Sequence, residues 1–436
     1  MKMKNRILTY ILLSLPLLNI AQETPGSPQE KSILLLNGTA HLGTGEVIKR
    51  AAIGFENGTI TLVADALTTT IDESKFDTVI NIKDKHVYPG FIAPNSTLGL
   101  QEIGSVRATR DQRETGTYNP HVRSLVAYNT DSDITPTIRT NGVLMAQITP
   151  RGGRVSGTSS VVHFDAWNWE DAVLRTDDGI HLNWPNSIQK SGWWAEPGPA
   201  SKSKRYEDQK NELDGFFKKA FSYYELKNHA EKDLRYAAME GIFDGSKTLY
   251  VHGSLYKEIN DIIQFKKEFG IKNLTIVGGY DAHLLAKQLN ENEISVILQR
   301  VHSLPERPED DVYENYKLAS KLSEKNVLFC LENAGDMEQM GTRNLPFYAG
   351  TAVAYGLPYE EAVKSISLNA AKILGIEKHY GSLEKGKSAT LFVSEGDALD
   401  MRSNELLMAF VQGRTMSLDN HQKRNYEKYK EKYQLD

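Results

Sequence analysis

Short apolar runs alternate with glycine-containing turns between Ser32 and Asp65 (SILLLNGTAHLGTGEVIKRAAIGFENGTITLVAD). This alternation predicts β-strands. Asn57 and Gly58 predict a tight hairpin turn within it, because both residues tolerate a positive φ. A similar signature returns at residues 381–416, where GSLEKGKSATLFVSEGDALD comes before LLMAFVQGRTM. The pattern therefore predicts one β-domain that is assembled from both ends of the chain.

The period of the pattern changes in the middle of the chain, most clearly at residues 212–375. Helical stretches at 212–241 and 257–270 alternate with four short runs rich in β-branched residues: TLYVHG, NLTIVGG, EISVILQ and NVLFCLEN. Repeats of strand and helix at about 20 to 35 residues are typical of parallel β/α units, and eight of them close a barrel. The irregular segment 98–210 is expected to supply long loops. We therefore expect an α/β protein with a (β/α)8 TIM-type barrel and a small β-sandwich domain formed from both chain ends.

The composition is that of an ordinary globular protein, with 40% hydrophobic and 25% charged residues among 436. A formal net charge of only -5 gives no support for nucleic acid as a partner. Cys330 is the single cysteine, which excludes a disulfide within the chain and a thiolate zinc cluster. Any metal ion would therefore need His, Asp, Glu or a modified Lys as ligands.

The first residues resemble a secretory signal. A basic start (MKMKNR) precedes an apolar run at 7–18, which is shorter than the roughly 20 residues of a transmembrane anchor. Ala21 suits the position before a cleavage site. We expect residues 1–21 to be removed and the protein to be exported, periplasmic or secreted, with no stable membrane anchor after cleavage. A buried N-terminal helix is the alternative.

Three segments together are similar to one known family. The opening strands at 33–65, VYPGFIAPNSTLGL at 87–100 and NAAKILGIEKHYGSLEKGKSATLFV at 369–393 resemble the amidohydrolase superfamily, above all its imidazolonepropionase-like and peptidase-like members. The resemblance implies a metal-hydrolase barrel. We predict that the β-domain consists of residues 22–88 and 380–419, the barrel of residues 89–379, and a charged tail of residues 420–436.

The resemblance also implies a divalent metal, typically zinc, at the C-terminal mouth of the barrel. The ligands are a His-x-His pair after the first strand, a Lys or Glu on the fourth strand, one His on each of the fifth and sixth strands, and an Asp on the eighth. Neutral imidazoles and carboxylates bind zinc-like ions, and the ion lowers the pKa of a bound water.

This sequence departs from that pattern at most positions. Asn95 and Thr97 stand where the His-x-His pair is expected, and Gly278 takes the place of the sixth-strand His. Amide and hydroxyl oxygens are weak zinc donors compared with imidazole. His252 ends the fifth strand in the expected place and is the remaining candidate metal ligand among the histidines. The eighth strand offers three residues for the usual Asp: Glu332, Asn333 and Asp336.

Two loops carry candidate substrate-binding residues. The segment TPRGGRVSGTSS at 149–160 places Arg151 and Arg154 among glycines, where guanidinium groups suit a carboxylate-bearing ligand. Its glycines fit simple turn geometry equally well. The segment GTRNLPF follows the eighth strand and resembles a family loop at the active-site mouth, so Arg343 and Asn344 are expected to contact the ligand.

The remaining aromatic, histidine and cysteine residues have plainer interpretations. Five tryptophans lie in a short interval and suit either a substrate mouth or the outside of the barrel: Trp167, Trp169, Trp184, Trp193 and Trp194. Four histidines lack metal-ligand spacing and are interpreted as structural: His163, His181, His283 and His302. Cys330 lies in an apolar run and is expected to be a buried hydrophobic residue rather than a nucleophile.

Two functions fit these observations. The first is hydrolysis of a carbon-nitrogen bond in a dipeptide or another amide, with catalytic roles for His252 and Glu332. The second is a catalytically inactive, metal-free binding or regulatory subunit, in which hydrogen bonds at Asn95 and Thr97 replace the metal. In both, the expected partner is a small-molecule amide or peptide ligand. A homo- or hetero-oligomer with an active relative fits the second function.

Overall fold

The computed structural model describes residues 25–193, 195–226, 229, 231–335 and 337–435. The predicted signal peptide, Trp194 and Asp336 lie outside the described residues. In the described part of the chain, no helix is long and apolar enough to cross a membrane.

The strands lie in both ends and in the middle of the chain. In chain order they are β1 (Ile33–His41), β2 (Val47–Glu56), β3 (Thr59–Asp65), β4 (Thr78–Asn81), β5 (His86–Pro89), β6 (Phe91–Ser96), β7 (Val143–Ile148), β8 (Val155–His163), β9 (Val173–Asn183), β10 (Ile188–Trp193), β11 (Glu196–Lys202), β12 (Thr248–Gly253), β13 (Leu274–Gly278), β14 (Ser295–Leu298), β15 (Phe329–Leu331), β16 (Leu391–Ser394), β17 (Leu406–Val411) and β18 (Arg414–Thr415).

Most helices lie in the second half of the chain. They are α1 (Thr135–Arg139), α2 (Trp169–Ala172), α3 (Tyr206–Leu226), α4 (Leu234–Asp244), α5 (Tyr256–Glu268), α6 (Ala286–Glu291), α7 (Glu314–Glu324), α8 (Glu338–Gly341), α9 (Leu345–Ala354), α10 (Tyr359–Ser365), α11 (Leu368–Leu374) and α12 (His421–Tyr433). Helix α12 covers residues 421–433 of the predicted charged tail, and none of the helix residues is buried.

Both ends of the chain contribute to one sheet, as the sequence predicts. Its strand order is β18-β17-β16-β5-β1-β2-β3, and β4 pairs with β1. Asn57 and Gly58 form the two-residue turn between β2 and β3 with φ angles of 48° and 76°, so the predicted hairpin is confirmed. Phe55 and Phe410, from opposite ends of the chain, pack edge to face with ring centroids 5.0 Å apart. The two chain ends therefore share one core.

A second sheet of eight strands forms the barrel, in the order β6-β7-β8-β9-β12-β13-β14-β15. The TIM-type barrel is confirmed, but its third strand departs from the regular β/α repeat, because β8 runs antiparallel to β7 and β9. The reason is the length of the connection. Only residues 149–154 join β7 to β8, whereas a parallel crossover needs about 10 residues or more. The glycine-rich segment singled out in the sequence begins with this hairpin connection.

The interior of the barrel is filled by apolar side chains at one end. These side chains pack together with helix α11: Ile92, Met145, Val161, Val277, Ile297 and Cys330. Helix α11 contacts both β6 and β15, so the ring of strands is nearly closed there. Cys330 is fully buried, as expected. The carboxyl ends of the parallel strands are left as the open face, where barrel proteins place their binding sites.

Replacement of Phe410 by alanine tests the shared core of the two chain ends. We expect Phe410→Ala to lower the free energy of unfolding by about 3–5 kcal/mol, because it deletes a buried ring and leaves a cavity against Phe55. Urea denaturation followed by circular dichroism measures the loss. Leu407→Ala on the same strand is the matched control, since that side chain is 41% exposed. Equal losses in the two variants would contradict the packing described here.

Candidate functional site

The carboxyl ends of the barrel strands surround an open cleft of about 1220 Å³. Five residues from five different segments border its floor: Asn95, Arg151, His252, Gly278 and Glu332. Its outer walls come from loops and from the β10–β11 hairpin. The size suits a small-molecule ligand. Because the floor residues lie far apart in the chain, no single sequence motif displays them together.

Asn95 is the hydrogen-bonding centre of the cleft floor. Its Oδ1 accepts from Arg151 Nη1 at 2.8 Å, and its backbone oxygen accepts from Arg151 Nη2 at 2.7 Å. Its Nδ2 donates to Glu332 Oε2, and its backbone N–H donates to Gln147 Oε1 at 3.1 Å. The φ of Asn95 is 50°, a conformation that asparagine adopts more readily than most residues. All polar groups of this residue are thus bonded within the protein.

Arg151 is ion-paired at the edge of the same floor. Its Nε and Nη2 donate to the two carboxylate oxygens of Glu338, each at 3.2 Å, in the bidentate geometry that favours arginine. The guanidinium group therefore holds a positive charge against Asn95, with Glu338 as its counter-charge. These bonds occupy most of the donors that a ligand carboxylate would use.

His252 lies beside a second histidine. Its Nε2 is 3.0 Å from Nδ1 of His181 on β9, so the two rings share one hydrogen bond. Burial, with a smaller effect of the Arg151 charge, lowers the pKa of His252 to about 3. Burial also lowers the pKa of His181 well below its ordinary value. Both rings are neutral near pH 7 and act as hydrogen-bonding groups rather than as cations.

Glu332 is a buried carboxyl group. Burial raises its pKa to about 8, although the hydrogen bond from Asn95 and the charge of Arg151 act in the opposite direction. The carboxyl group is therefore mainly protonated at neutral pH and keeps an O–H donor. A protonated carboxyl and a neutral imidazole in one cleft form a site for polar, uncharged chemistry.

Comparisons with known proteins agree with this architecture. A family model described as the amidohydrolase family matches residues 201–416. This chain belongs to the amidohydrolase superfamily. Among solved structures, an amidohydrolase from Thermotoga maritima MSB8 is 24% identical, with a TM-score of 0.74 over 88% of this chain and 99% of that chain.

Two further solved structures share the amidohydrolase barrel at lower identity. A Xaa-Pro dipeptidase with methionine bound in its active site is 15% identical, with a TM-score of 0.54 over 88% of this chain and 100% of that chain. An adenosine deaminase from Xanthomonas campestris with bound zinc is 13% identical, with a TM-score of 0.50 over 94% of this chain and 100% of that chain. No curated protein matches the chain. At these identities the likeness shows the fold, and the cleft residues decide the chemistry.

The cleft residues do not fit the metal site that the amidohydrolase superfamily implies. Zinc needs deprotonated ligands with free lone pairs. The Asn95 amide oxygen is bonded to a guanidinium, and Thr97 offers a neutral hydroxyl that is buried without a partner among the described residues. His252 directs Nε2 at another imidazole, and Glu332 holds a proton at neutral pH. Within the residues that the structure describes, no three His, Cys, Asp or Glu side chains form a group that could hold a metal ion.

The backbone conformation of Gly278 disfavours the histidine that the superfamily places there. Its φ is 106°, and a Cβ atom would lie 2.5 Å from Ser254 Oγ. On the eighth strand, Asn333 donates from Nδ2 to the backbone oxygen of Glu338 at 2.7 Å and does not border the cleft. Of the two described candidates for the usual Asp, Glu332 is therefore the one that the fold brings to the floor.

Three predicted substrate-binding residues lie away from the cleft floor. Arg154 donates to a backbone oxygen of β9 at 2.7 Å. Arg343 borders a smaller cavity of about 290 Å³ near helix α12, and Asn344 directly precedes α9. Of the four predicted substrate-binding residues, Arg151 borders the cleft. Ligand contact by the other three stays a prediction.

The tryptophans do not form one surface among the described residues. Trp184 borders the cleft and donates from Nε1 to the Tyr206 hydroxyl at 3.0 Å. Trp167 is 61% exposed and Trp193 is 56% exposed. Trp169 packs partly buried against the core. Of the four tryptophans that the structure describes, only Trp184 is placed to contact a ligand in the cleft.

A buried polar cluster beneath the cleft was not predicted from the sequence. We define the interior polar cluster as Gln147, Ser159, Asp178, His181 and Tyr250, all of them fully buried. Asp178 accepts hydrogen bonds from Gln147 Nε2, Ser159 Oγ and the Tyr250 hydroxyl at 2.7, 2.8 and 2.8 Å. The only signal in the sequence is a set of polar residues within otherwise apolar strands. That signal is weak, because polar residues on a solvated strand face give the same pattern.

Glu332→Gln tests the buried neutral carboxyl group. Because the pKa of Glu332 is raised from 4.5 to about 8, the protonated group stabilises the folded state fully below about pH 4.5, and this contribution is lost as the pH rises through about 8. A glutamine side chain stays neutral at every pH. Between about pH 5 and 9, we therefore expect the free energy of unfolding to fall by about 2–4 kcal/mol less in the variant than in the wild type.

Urea denaturation at several pH values measures the difference between the Glu332 variant and the wild type. Glu56→Gln makes the same substitution at an exposed position at the end of β2 and is the matched control. If Glu332→Gln and the wild type show the same pH profile, Glu332 is ionised in the folded protein and this description of the cleft is wrong.

Proposed function

We propose that this amidohydrolase-superfamily protein binds a small, uncharged amide or peptide-like ligand in the barrel cleft without the superfamily's metal. The observation that carries the proposal is at Asn95, where Arg151 and Glu332 bond to opposite ends of the side-chain amide. Asn95, which stands where the first imidazole is expected, therefore uses its side-chain amide for hydrogen bonds within the protein. The cleft is retained, while its floor consists of hydrogen-bonding groups in place of metal ligands.

The charges around the cleft favour an uncharged ligand. Each of three cations at its border already has a carboxylate partner, in the pairs Arg151–Glu338, Lys190–Glu306 and Arg307–Asp281. A ligand carboxylate would have to displace one of these partners and lose its own hydration. The neutral groups of His252 and Glu332 remain at the floor. An amide matches them, because it supplies both an N–H donor and a carbonyl acceptor.

Apolar side chains form part of the cleft wall and fit the same class of ligand. Trp184, Ile188, Leu255 and Val277 border the cleft. A few polar groups at the floor and apolar groups around them are the usual design of a small-molecule site. The combination favours an amide that carries an apolar substituent, such as a blocked hydrophobic dipeptide.

Calorimetric titration of chelator-treated protein with blocked dipeptides and cyclic amides tests the proposal. We expect at least one uncharged amide to bind in the absence of any divalent metal. Ligands with a free carboxylate should bind more weakly than their amide counterparts. If no amide binds until zinc or manganese is added, the metal-free proposal is wrong.

His252→Gln tests the imidazole at the cleft floor. We expect it to weaken binding of the best amide by about 5- to 150-fold, because loss of a buried hydrogen-bonding partner costs about 1–3 kcal/mol. His302→Gln is the matched control, since His302 bonds to Thr351 at 2.8 Å and does not border the cleft. Equal effects of the two substitutions would show that the ligand binds elsewhere.

Metal-independent hydrolysis of the same amides is the second candidate function. Burial displaces the pKa of His252 to about 3 and that of Glu332 to about 8, and such separation is typical of acid–base pairs. In this reaction water adds to the amide carbonyl carbon and gives one proton to His252. The C–N bond then breaks as Glu332 gives its proton to the leaving nitrogen, and the proton on His252 returns to Glu332. Product formation in the presence of chelator, abolished by Glu332→Gln, would favour hydrolysis; binding without product would favour the first candidate.

We also infer export of the protein and assembly as a homo- or hetero-oligomer with an active relative. The basic and apolar start of the chain supports export. The departure of the floor residues from the superfamily's ligand set supports a subunit role. Cell fractionation and the mass of the native complex test these two inferences separately.

A further inference from the structure

The backbone N–H of Asn95 fixes the orientation of the Gln147 side chain. This N–H can only donate, and it lies 3.1 Å from the atom assigned as Gln147 Oε1, so that atom is the amide oxygen. The amide nitrogen of Gln147 then faces Asp178 Oδ2 at 2.7 Å and Ser159 Oγ at 3.2 Å. Gln147 therefore donates one hydrogen bond to each of these residues.

The Ser159 hydroxyl has a single proton, which it donates in a hydrogen bond to Asp178. Ser159 Oγ donates to Asp178 Oδ1 at 2.8 Å. Asp178 also receives bonds from Gln147 and Tyr250. Burial raises the pKa of Asp178, but the bonds from its three donors act in the opposite direction and favour the ionised form. Ser159 Oγ lies 3.1 Å from His181 Nε2. Since the hydroxyl proton is used, His181 must donate from Nε2 to Ser159.

The same conclusion holds for the alternative rotamer of the hydroxyl proton. The backbone oxygen of Gly179 lies 3.3 Å from Ser159 Oγ and is the other acceptor in reach. If Ser159 donates to Gly179, its lone pairs still face Gln147 and His181. His181 remains the donor in either case.

The direction of the bond between the two histidines follows. His181 is neutral and carries its proton on Nε2, so its Nδ1 is an acceptor. His252 Nε2 lies 3.0 Å from that atom and must donate. A neutral His252 then has no proton on Nδ1. Among the described residues, His252 Nδ1 has no hydrogen-bond partner, and the residue borders the cleft.

We propose that Asp178, Ser159 and His181 are positioning residues that hold His252 in one tautomer, with a proton on Nε2 and a bare Nδ1 as an acceptor at the cleft. This arrangement selects ligands that present an N–H or O–H group to His252. The tautomer of His252 is a property of the protein without ligand, so it does not depend on the proposed function.

Long-range ¹H–¹⁵N spectra of the full chain labelled with ¹⁵N-histidine measure the tautomer directly. The signals of His252 are identified by their loss in His252→Gln. We expect wild-type His252 to show a protonated Nε2 and an unprotonated Nδ1 near pH 7. A protonated Nδ1, or an equal mixture of tautomers, would overturn the proposal.

Asp178→Asn is the variant expected to reverse the chain of bonds. Gln147 and Tyr250 still need an acceptor, so the amide nitrogen of the new side chain faces Ser159 and donates to it. Both lone pairs of Ser159 Oγ are then filled, and His181 Nε2 becomes an acceptor. We expect the proton of His252 to move to Nδ1. An unchanged wild-type tautomer in this variant contradicts the proposal.

Ser159→Ala keeps the proposal testable if Asp178→Asn does not fold. Without the hydroxyl, His181 loses its directing partner, and we expect His252 to become a mixture of tautomers. Ser160→Ala is the matched control, because Ser160 is equally buried but accepts from the Asp177 N–H at 2.9 Å. The control should keep the wild-type tautomer. A single wild-type tautomer in Ser159→Ala would show that this chain of bonds does not position His252.

Discussion

The set of hydrogen bonds at Asn95 is the interaction on which the cleft depends. Through its side chain, Asn95 joins the Arg151–Glu338 ion pair to the buried carboxyl group of Glu332. Through its backbone N–H, it orients Gln147 and so reaches the interior polar cluster. A buried polar network of this kind is stable only when each member has a partner, because one unpaired group costs about 1–3 kcal/mol. The cleft floor and the barrel interior therefore act as one unit.

Because of this unit, the mouth of the barrel presents hydrogen-bonding groups in place of metal ligands. In a metal site, the charge at the floor comes from the ion, and the protein supplies lone pairs. Here a guanidinium group is fixed at the floor and balanced by Glu338, while His252 and Glu332 are kept neutral by burial. A divalent cation placed at Asn95 would meet a positive charge and few free lone pairs. The fold is shared with hydrolases, but the chemistry follows from the side chains.

Much of the fold could be predicted from local patterns, and part of the site could be predicted from motif positions. The terminal strands, the Asn57-Gly58 turn and the later β/α units follow from periodicity and turn chemistry. Asn95, Thr97 and Gly278 were recognised because they interrupt a family motif.

The antiparallel direction of β8 could have been argued from its short connection, but the strand limits around it were not visible in the sequence. The interior polar cluster could not be predicted, since contacts such as His181 with His252 depend on the register between strands that are distant in the chain. Arg343 and Asn344 were selected by family position alone, and position in the sequence does not determine which cavity a loop faces.

The most direct test of the central claim is a calorimetric titration of zinc into chelator-treated protein, followed by dialysis and elemental analysis. We expect less than about a tenth of an equivalent of zinc to be retained per chain, with the same result for wild type and His252→Gln. If the wild type binds one equivalent of zinc with micromolar or tighter affinity and His252→Gln does not, the floor residues rearrange into a metal site and the cleft is not metal-free.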